Sequence, residues 1–434
     1  MIKAGFSRVD VTPPLGSYLA GYFKDRYAKG VIDPIYLNAI AFSDGEETAV
    51  MIIADFLGIR EAYATPIRSK IANSTGVKID NIIISSLHQH TSICLRFDPS
   101  GKNNILTDDT YLDLLYRKFC DVAKMAIDDM SEATLGLAEM QALEQIAFIR
   151  RFRMKDGSTK TNASRNPDML HPIGEPDNTV RLLRFVREGK NDIALVNFST
   201  HPDTVGGELI CPDWPGYTRN YVEADHEGVF CIVVNGVQGD SNHISYTEES
   251  RGRGGAHAKY MGRVLADTVS VIWDKTEPQK VDNIAASVDF VYHITNTKGA
   301  EFYDVCLEKL KQYKEGLIPG TDLDFVGGPG GANRIVRMRT DPLFRKIPVS
   351  VISLGKINFV GFGGEPFSHY ATAVREAFPE KYIVAVCCAN GYEGYLPTKE
   401  AYEEGGYEAS SSPFQPTLEE DCVNLAVKII KSFN

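Results

Sequence analysis

Apolar and polar positions along the chain switch repeatedly between a two-residue period and a helical one, as in an α/β protein. Residues 4–12 alternate as an opening strand, which Thr12-Pro13-Pro14-Leu15-Gly16 ends. Ala39 to Phe42 and Thr48 to Asp55 predict two strands around the turn Ser43-Asp44-Gly45. The spacing predicts a helix over 60–74, a buried strand over 82–90 and an amphipathic helix over 108–130. In that second helix Tyr111, Leu114, Leu115, Phe119, Val122, Ala126 and Met130 form the core face. Lys155-Asp156-Gly157-Ser158 reads as a hairpin turn. Strands at 181–186 and 193–198 pair around Glu188-Gly189-Lys190, and another runs over 229–234. Later come a helix at 255–274, a strand at 284–293 and a helix at 300–314. The chain closes with two strands between Val349 and Phe362, a strand at 382–388 and a helix at 418–432. Val326 to Gly331 reads as a flexible loop, a lid or a plain connection, without the lysine and hydroxyl residue of a phosphate loop. With no repeat and no linker composition, the expectation is one α/β unit spanning 1–434, with mixed sheets flanked by helices.

The chemistry-bearing residues gather where strands end. The strand at 82–90 runs into His88-Gln89-His90, and a continued strand would point both imidazoles to one face. Such a pair suits a metal ion, or one metal ligand plus one proton carrier, or two histidines hydrogen-bonded in a polar loop. The strand at 193–198 leads to His201, the one after Val349 leads to Glu365, and the last runs into a tyrosine-rich stretch from Asn390 to Thr398. Two histidines and a glutamate form a common ligand set for catalytic zinc, with a position left for water. Asp55 stands at a strand end, either orienting a histidine from behind or only capping the strand. Gly21-Tyr22 lies in a glycine-bearing loop suited to border a site. The cluster Arg150-Arg151-Phe152-Arg153 is a solvated face or holds a functional arginine.

Composition narrows the partners. A formal net charge of -11 speaks against nucleic acid, whose binders carry basic patches. No apolar run is long enough to span a membrane, and the first residues lack a signal-peptide core. Eight thinly spread cysteines without a CxxC pair read as reduced, buried thiols, and a cytoplasmic setting is the expectation. The oligomeric state stays open.

Asp10-Val11-Thr12-Pro13, Ala54-Asp55, His88-Gln89-His90-Thr91-Ser92, Gln238-Gly239-Asp240, Gly364-Glu365-Pro366 and the Asn390–Tyr407 segment follow in one order. As a set they resemble the amidase domain of the neutral/alkaline (non-lysosomal) ceramidase family, over most of the chain. The resemblance implies a zinc site at strand ends with His88, His201, Glu365 and Tyr395 as ligands. It further implies His90 beside the catalytic water, with Tyr407 and Arg150 supporting the reacting carbonyl.

Three departures qualify what carries over. Ile149 stands where the family has an asparagine before its arginine. Gly239-Asp240-Ser241-Asn242-His243 is shorter than the family's serine motif and lacks its proline, so Ser241, Asp240 and His243 enter only as pocket residues. The family's immunoglobulin-like C-terminal domain is not expected here. The function implied is hydrolysis of a linear amide in a small soluble N-acyl compound. Membrane lipid is not expected as the substrate. The alternatives are an esterase, lactonase or sugar-processing enzyme on the same scaffold, or a non-catalytic metal- or ligand-binding protein.

Overall fold

The computed structural model describes residues 2–96, 109–162, 166–246 and 252–433. The predicted strands, joined by one over Ser131–Gln141 that the sequence pattern does not reveal, assemble into two sheets. The larger contains β1 (Ile2–Asp10), β2 (Tyr36–Ser43), β3 (Thr48–Ala54), β4 (Ile82–Ser86), β5 (Ser131–Gln141), β6 (Thr179–Arg187), β7 (Asp192–Phe198) and β8 (Val229–Asn235). Their spatial order is β8-β7-β6-β5-β1-β2-β3-β4, and the short strand Glu277–Gln279 also pairs with β5. Both outer pairs, β7 with β8 and β3 with β4, are parallel, whereas the interior pairs are antiparallel. The smaller sheet runs β9 (Ile284–Ile294), β10 (Phe344–Leu354), β11 (Ile357–Phe362), β12 (Tyr382–Val386), again with a parallel outer pair.

The sheets pack face to face because their strands are apolar on the facing side. Ile40, Phe42, Met51 and Phe185 of the large sheet share one core with Ile352, Phe359 and Val384 of the small one. Helices cover the outer faces. On β2 to β4 lie α1 (Glu61–Thr75) and α2 (Asp109–Asp128), through Ile67, Ile71, Leu115 and Phe119. Near β7 and β8, α3 (Asp213–Asp225) and α4 (Gly255–Ile272) contribute Trp214, Val222, Met261 and Leu265. A second pair, α5 (Tyr303–Lys314) and α6 (Gly328–Arg337), forms a small cluster of its own around Leu310, Leu323 and Ile335. Finally α7 (Ser368–Ala377) and α8 (Leu418–Lys431) back the small sheet. This is the mixed α/β architecture that the hydrophobic pattern predicts. Among the described residues, no helix is long and apolar enough to cross a membrane.

Three local expectations need correction. The strand at 82–90 stops at Ser86, and His88 adopts φ 73°, a left-handed conformation. Its amide bonds to Phe56 O and that of Leu87 to Ala54 O, so the chain turns out of the ladder before the histidines. The strand-face argument therefore does not explain why His88 and His90 lie together. Residues 328–331 are the first turn of α6 rather than a loop. Pro329 suits a helix start, and Gly330 and Gly331 lie so close to Tyr407, Ser411 and Val326 O that a side chain would collide. Close packing overrides the poor helix propensity of glycine. In α2, Leu114 is exposed rather than core.

The carboxyl ends of the parallel strands are tied together by polar bonds between the sheets. Asn197 Nδ2 donates to both Val234 O and Ala385 O, and Cys387 N donates to Asn235 O. Asn390 pairs with the backbone of Ile84 through both its amide and its side chain. Crevices outside such strand ends are where α/β sheets bind ligands. Here the end of β12 is fixed against the ends of β4, β7 and β8, which brings remote segments to one place.

Candidate metal centre and active site

His88 leaves β4, His201 follows β7, and Glu365 follows β11, all three almost fully buried. Each imidazole is oriented by a backbone carbonyl: His88 Nδ1 lies 2.9 Å from Leu57 O and His201 Nδ1 lies 2.9 Å from Gln238 O. A carbonyl accepts only, so both Nδ1 atoms carry the proton and both Nε2 atoms present lone pairs. Those lone pairs face one carboxylate oxygen. Glu365 Oε2 is 3.3 Å from His88 Nε2 and 3.2 Å from His201 Nε2.

This is where a cation fits. Among the described residues neither His201 Nε2 nor Glu365 Oε2 has a hydrogen-bond partner, although both are buried, a costly state for polar atoms. A proton on His88 could bridge it to Glu365, but His201 would still face a carboxylate oxygen. Tetrahedral zinc bonds of about 2.0–2.1 Å set ligand atoms about 3.3 Å apart, the spacing seen from Glu365 Oε2 to each imidazole nitrogen. The charge states agree with that reading. Burial, reinforced by the Arg150 charge, pushes His201 down to about 3. Burial works against ionisation of Glu365, yet His88 and His201 hold it well below the usual carboxylate range. A neutral His201 beside an ionised carboxylate is a pair ready for a metal.

His90 borders the same point. The ligand atoms of His88, His90 and His201 lie within 4.8 Å of one another, so this trio could also hold an ion. The Glu365 set is the tighter of the two. Neither ring nitrogen of His90 has a hydrogen-bond partner. Its Nδ1 is 3.6 Å from Asp203 Oδ1, and Asp203 also accepts a hydrogen bond from the Tyr22 hydroxyl. Burial, aided by His88, drives its pKa well below the ordinary value. Arg26 Nη2 donates to His90 O at 2.6 Å.

Tyr395 pairs with Glu365 across two short parallel strands, and its ring centroid is 6.4 Å from that of His201. The Arg150 guanidinium carbon lies 5.2 Å from its ring centroid, and the Tyr407 ring stands edge-on to it at 5.6 Å. Burial pushes the Tyr395 pKa well above its ordinary value, and the Arg150 cation works the other way. Arg150 is buried, with Nε 2.8 Å from Glu408 Oε1 and Nη2 donating to Gly239 O. Arg151 is equally buried and pairs with Glu404. The basic cluster thus starts as an internal ion-pair network and not as a solvated face.

The remaining sequence-derived residues divide. Asp55 does not touch a histidine: its carboxylate takes both arms of Arg219, at 3.0 and 3.2 Å, and the Tyr36 amide. Orienting histidines falls to carbonyls, which sequence alone does not advertise. Asp240 accepts from the amide and hydroxyl of Ser368 and so holds the start of α7. Ser241 is buried with an unpartnered hydroxyl, in a two-residue pairing with Ile149. His243 is buried, and desolvation lowers its pKa to about 3. Three contributors have no sequence-derived role: Asp203 beside His90, Glu408 beside Arg150, and Tyr392, whose ring lies 5.2 Å from that of His88. Asp203 follows His201 by two residues and Glu408 follows Tyr407 by one, so proximity in sequence was the available signal.

Fold and site together define a ceramidase-like α/β scaffold carrying a buried histidine-rich group able to hold a metal ion. Neutral ceramidase from Pseudomonas aeruginosa superposes with a TM-score of 0.74 at 15% identity, over all of this chain and 74% of that one. A ceramidase complexed with C2 matches equally well, with 75% of its chain covered. At this identity the likeness establishes the fold. No protein-family model and no curated protein sequence matches the chain.

Proposed function

We propose that the chain, as one catalytic unit, is a zinc-dependent hydrolase of a linear amide bond in a small soluble N-acyl compound. The observation that carries this reading is the convergence of two imidazole lone pairs and a carboxylate oxygen at 3.2–3.3 Å without a donor between them. His88, His201 and Glu365 would hold one zinc ion per chain, with Tyr395 completing the set. A bound zinc ion supplies Lewis acidity and lowers the pKa of its water.

The chain's own residues supply the rest. His90, kept neutral by its surroundings, can hold a proton on Nδ1 toward Asp203 and accept one at Nε2. It then delivers that proton to the leaving amine. Arg150 stays charged: burial opposes this, but Tyr395, Glu408 and Glu365 more than offset it. With the Tyr407 hydroxyl it would stabilise negative charge growing on the substrate carbonyl oxygen, the largest electrostatic task in acyl transfer. The Tyr395 and Tyr392 rings, 6.4 Å from the His201 ring and 5.2 Å from that of His88, would limit water around that oxygen. Among the described residues the cysteines are free and nearly all buried, which supports a reducing, cytoplasmic setting.

Matched N-acyl amides and esters, assayed with and without a chelator, test the reading. Amide turnover that a chelator abolishes and zinc restores is expected. Chelator-sensitive turnover of esters alone would assign the scaffold to ester chemistry. Full activity in metal-free protein would overturn the metal role.

A further inference from the structure

Beyond the candidate centre, Arg60, Arg337 and Arg345 from separate segments are joined through shared carboxylates, and Arg96 lies close enough to act on the charge of Arg337. Arg60 follows the short strand Gly58–Ile59, Arg96 follows Cys94–Leu95, Arg337 ends α6 and Arg345 lies at the start of β10. Two carboxylates serve them. Glu393 lies 2.8 Å from Arg60 and 3.6 Å from Arg345, and Asp341 pairs with Arg337 at 3.1 Å and with Arg345. The four cations thus exceed these two anions by two charges, among the described residues.

Several observations mark the surplus as more than a surface accident. Arg345 is almost fully buried, and among the described residues neither its Nε nor the buried Nε of Arg96, whose guanidinium lies 5.8 Å from the Tyr18 ring, has a hydrogen-bond partner. The cations also feel one another. Burial together with Arg60 and Arg96 lowers the pKa of Arg337. Burial brings Arg345 to about 10, where Asp341 and Glu393 support its charge and Arg60 and Arg337 oppose it. Solvent reaches the group, because the Arg337 side chain is 39% exposed and that of Arg60 21%. Forked guanidinium donors left in surplus match the geometry of an oxyanion.

Its place relative to the candidate centre follows from two independent connections. The first is α6, which packs Gly330 on Tyr407 and ends seven residues later at Arg337, about 10 Å along a helix rising 1.5 Å per residue. The second is Leu57, whose carbonyl orients His88 and which lies three residues before Arg60; that is also about 10 Å of extended chain. In addition, Glu393 directly follows Tyr392, which stacks near His88.

We infer that the arginine cluster is an oxyanion subsite, and that the substrate carries a carboxylate, sulfate or phosphate about 10 Å from the bond that is cut. This rests on the hydrolase reading for the word substrate, but the anion site stands on its own geometry. An anionic group there narrows the substrate from N-acyl compounds in general to acidic ones.

The test is calorimetric titration of the full chain with inorganic phosphate, sulfate and glutarate, in EDTA so that no metal contributes an anion site. Arg337→Gln and Arg345→Gln are titrated alongside, with circular dichroism to confirm folding. Saturable binding of at least one probe, weakened about tenfold or more by the more exposed Arg337→Gln, is expected. Binding to wild type that Arg337→Gln leaves unchanged, or no binding of any probe, would overturn the subsite. A second arm compares kcat/KM for N-acyl compounds with and without a terminal carboxylate. A preference for the acidic member that collapses in Arg337→Gln supports the inference. Turnover of neutral amides with no such preference leaves the hydrolase standing and removes the subsite. Anion binding without any turnover does the reverse.

Discussion

At the level of single residues, the structure separates groups that border the candidate metal centre from groups that pair elsewhere, as Asp55 does with Arg219. Gly21 has φ +108°, and a Cβ there would come within 2.7 Å of His90 Nδ1. Gly21→Ala should therefore displace His90 while leaving His88, His201 and Glu365 alone. The expected outcome is a loss of kcat of about 100-fold, the scale of a 1 Å misplacement, with metal content unchanged. Unaltered kcat in that variant would remove His90 from the chemistry. Asp55 behaves in the opposite way. It forms a fully buried pair with Arg219, and breaking such a pair costs about 3–5 kcal/mol. Asp55→Asn should lower the melting temperature markedly yet retain metal stoichiometry. Loss of metal at unchanged stability would return Asp55 to a role behind the histidines.

The same scale shows what the sequence makes legible. His88, His201, Glu365 and Tyr395 do gather near one point, and the ordered motifs single them out. The role considered for Asp55 fails because a carboxylate at a strand end looks the same whether it faces a histidine or an arginine. The arginine, Arg219, lies 164 positions away on α3. Backbone carbonyls carry no residue identity at all, so the partners of His88 and His201 could not be read from side-chain types.

Among the elements, periodicity predicts the long strands except β5 and five of the eight helices, and it misses α3, α6 and α7. It fails where tertiary contact outweighs local preference. The glycines of α6 read as a loop, but they are small because Tyr407, Ser410 and Ser411 press against that first turn. Gly330→Ala should push Tyr407 away from Tyr395 even though alanine favours helix by about 1 kcal/mol. Reduced kcat with little change in overall helicity by circular dichroism is the expected result. An equally active variant would mean that α6 does not set the position of Tyr407. The end of β4 is the other failure. Strand alternation cannot foresee that the chain leaves the ladder at Ser86 and takes a left-handed turn at His88.

For the whole molecule, joining the strand ends of two sheets places several neutral histidines in the interior, and this couples stability to pH. His201 and His243 are held down to about 3, and His90 well below its ordinary value, in each case by burial first. A histidine whose folded pKa is depressed stabilises the protein above its unfolded value of about 6.5, and that contribution is lost as pH falls from there toward the folded pKa. Asp213 acts in the opposite sense, because burial raises it to about 6; its contribution is present at low pH and disappears as pH rises through that value. Burial raises Asp240 as well and lowers His226 and His293, and the histidines together outweigh the two aspartates. Metal-free protein should therefore lose stability from pH 6.5 to 5 with a net slope of roughly two protons, about 2.7 kcal/mol per pH unit. Urea midpoints measured across that range check it, and His243→Asn should remove one proton from the slope. A flat profile would show that these imidazoles are not held neutral.

The central claim is that His88, His201 and Glu365 form a metal centre, and metal content by mass spectrometry tests it most directly. The protein is purified without an affinity tag or added metal, alongside His201→Ala. About one zinc per chain in the wild type, absent from the variant at unchanged circular dichroism, is the predicted result. Wild-type protein that contains no divalent metal, and takes up none when zinc is supplied, would contradict it.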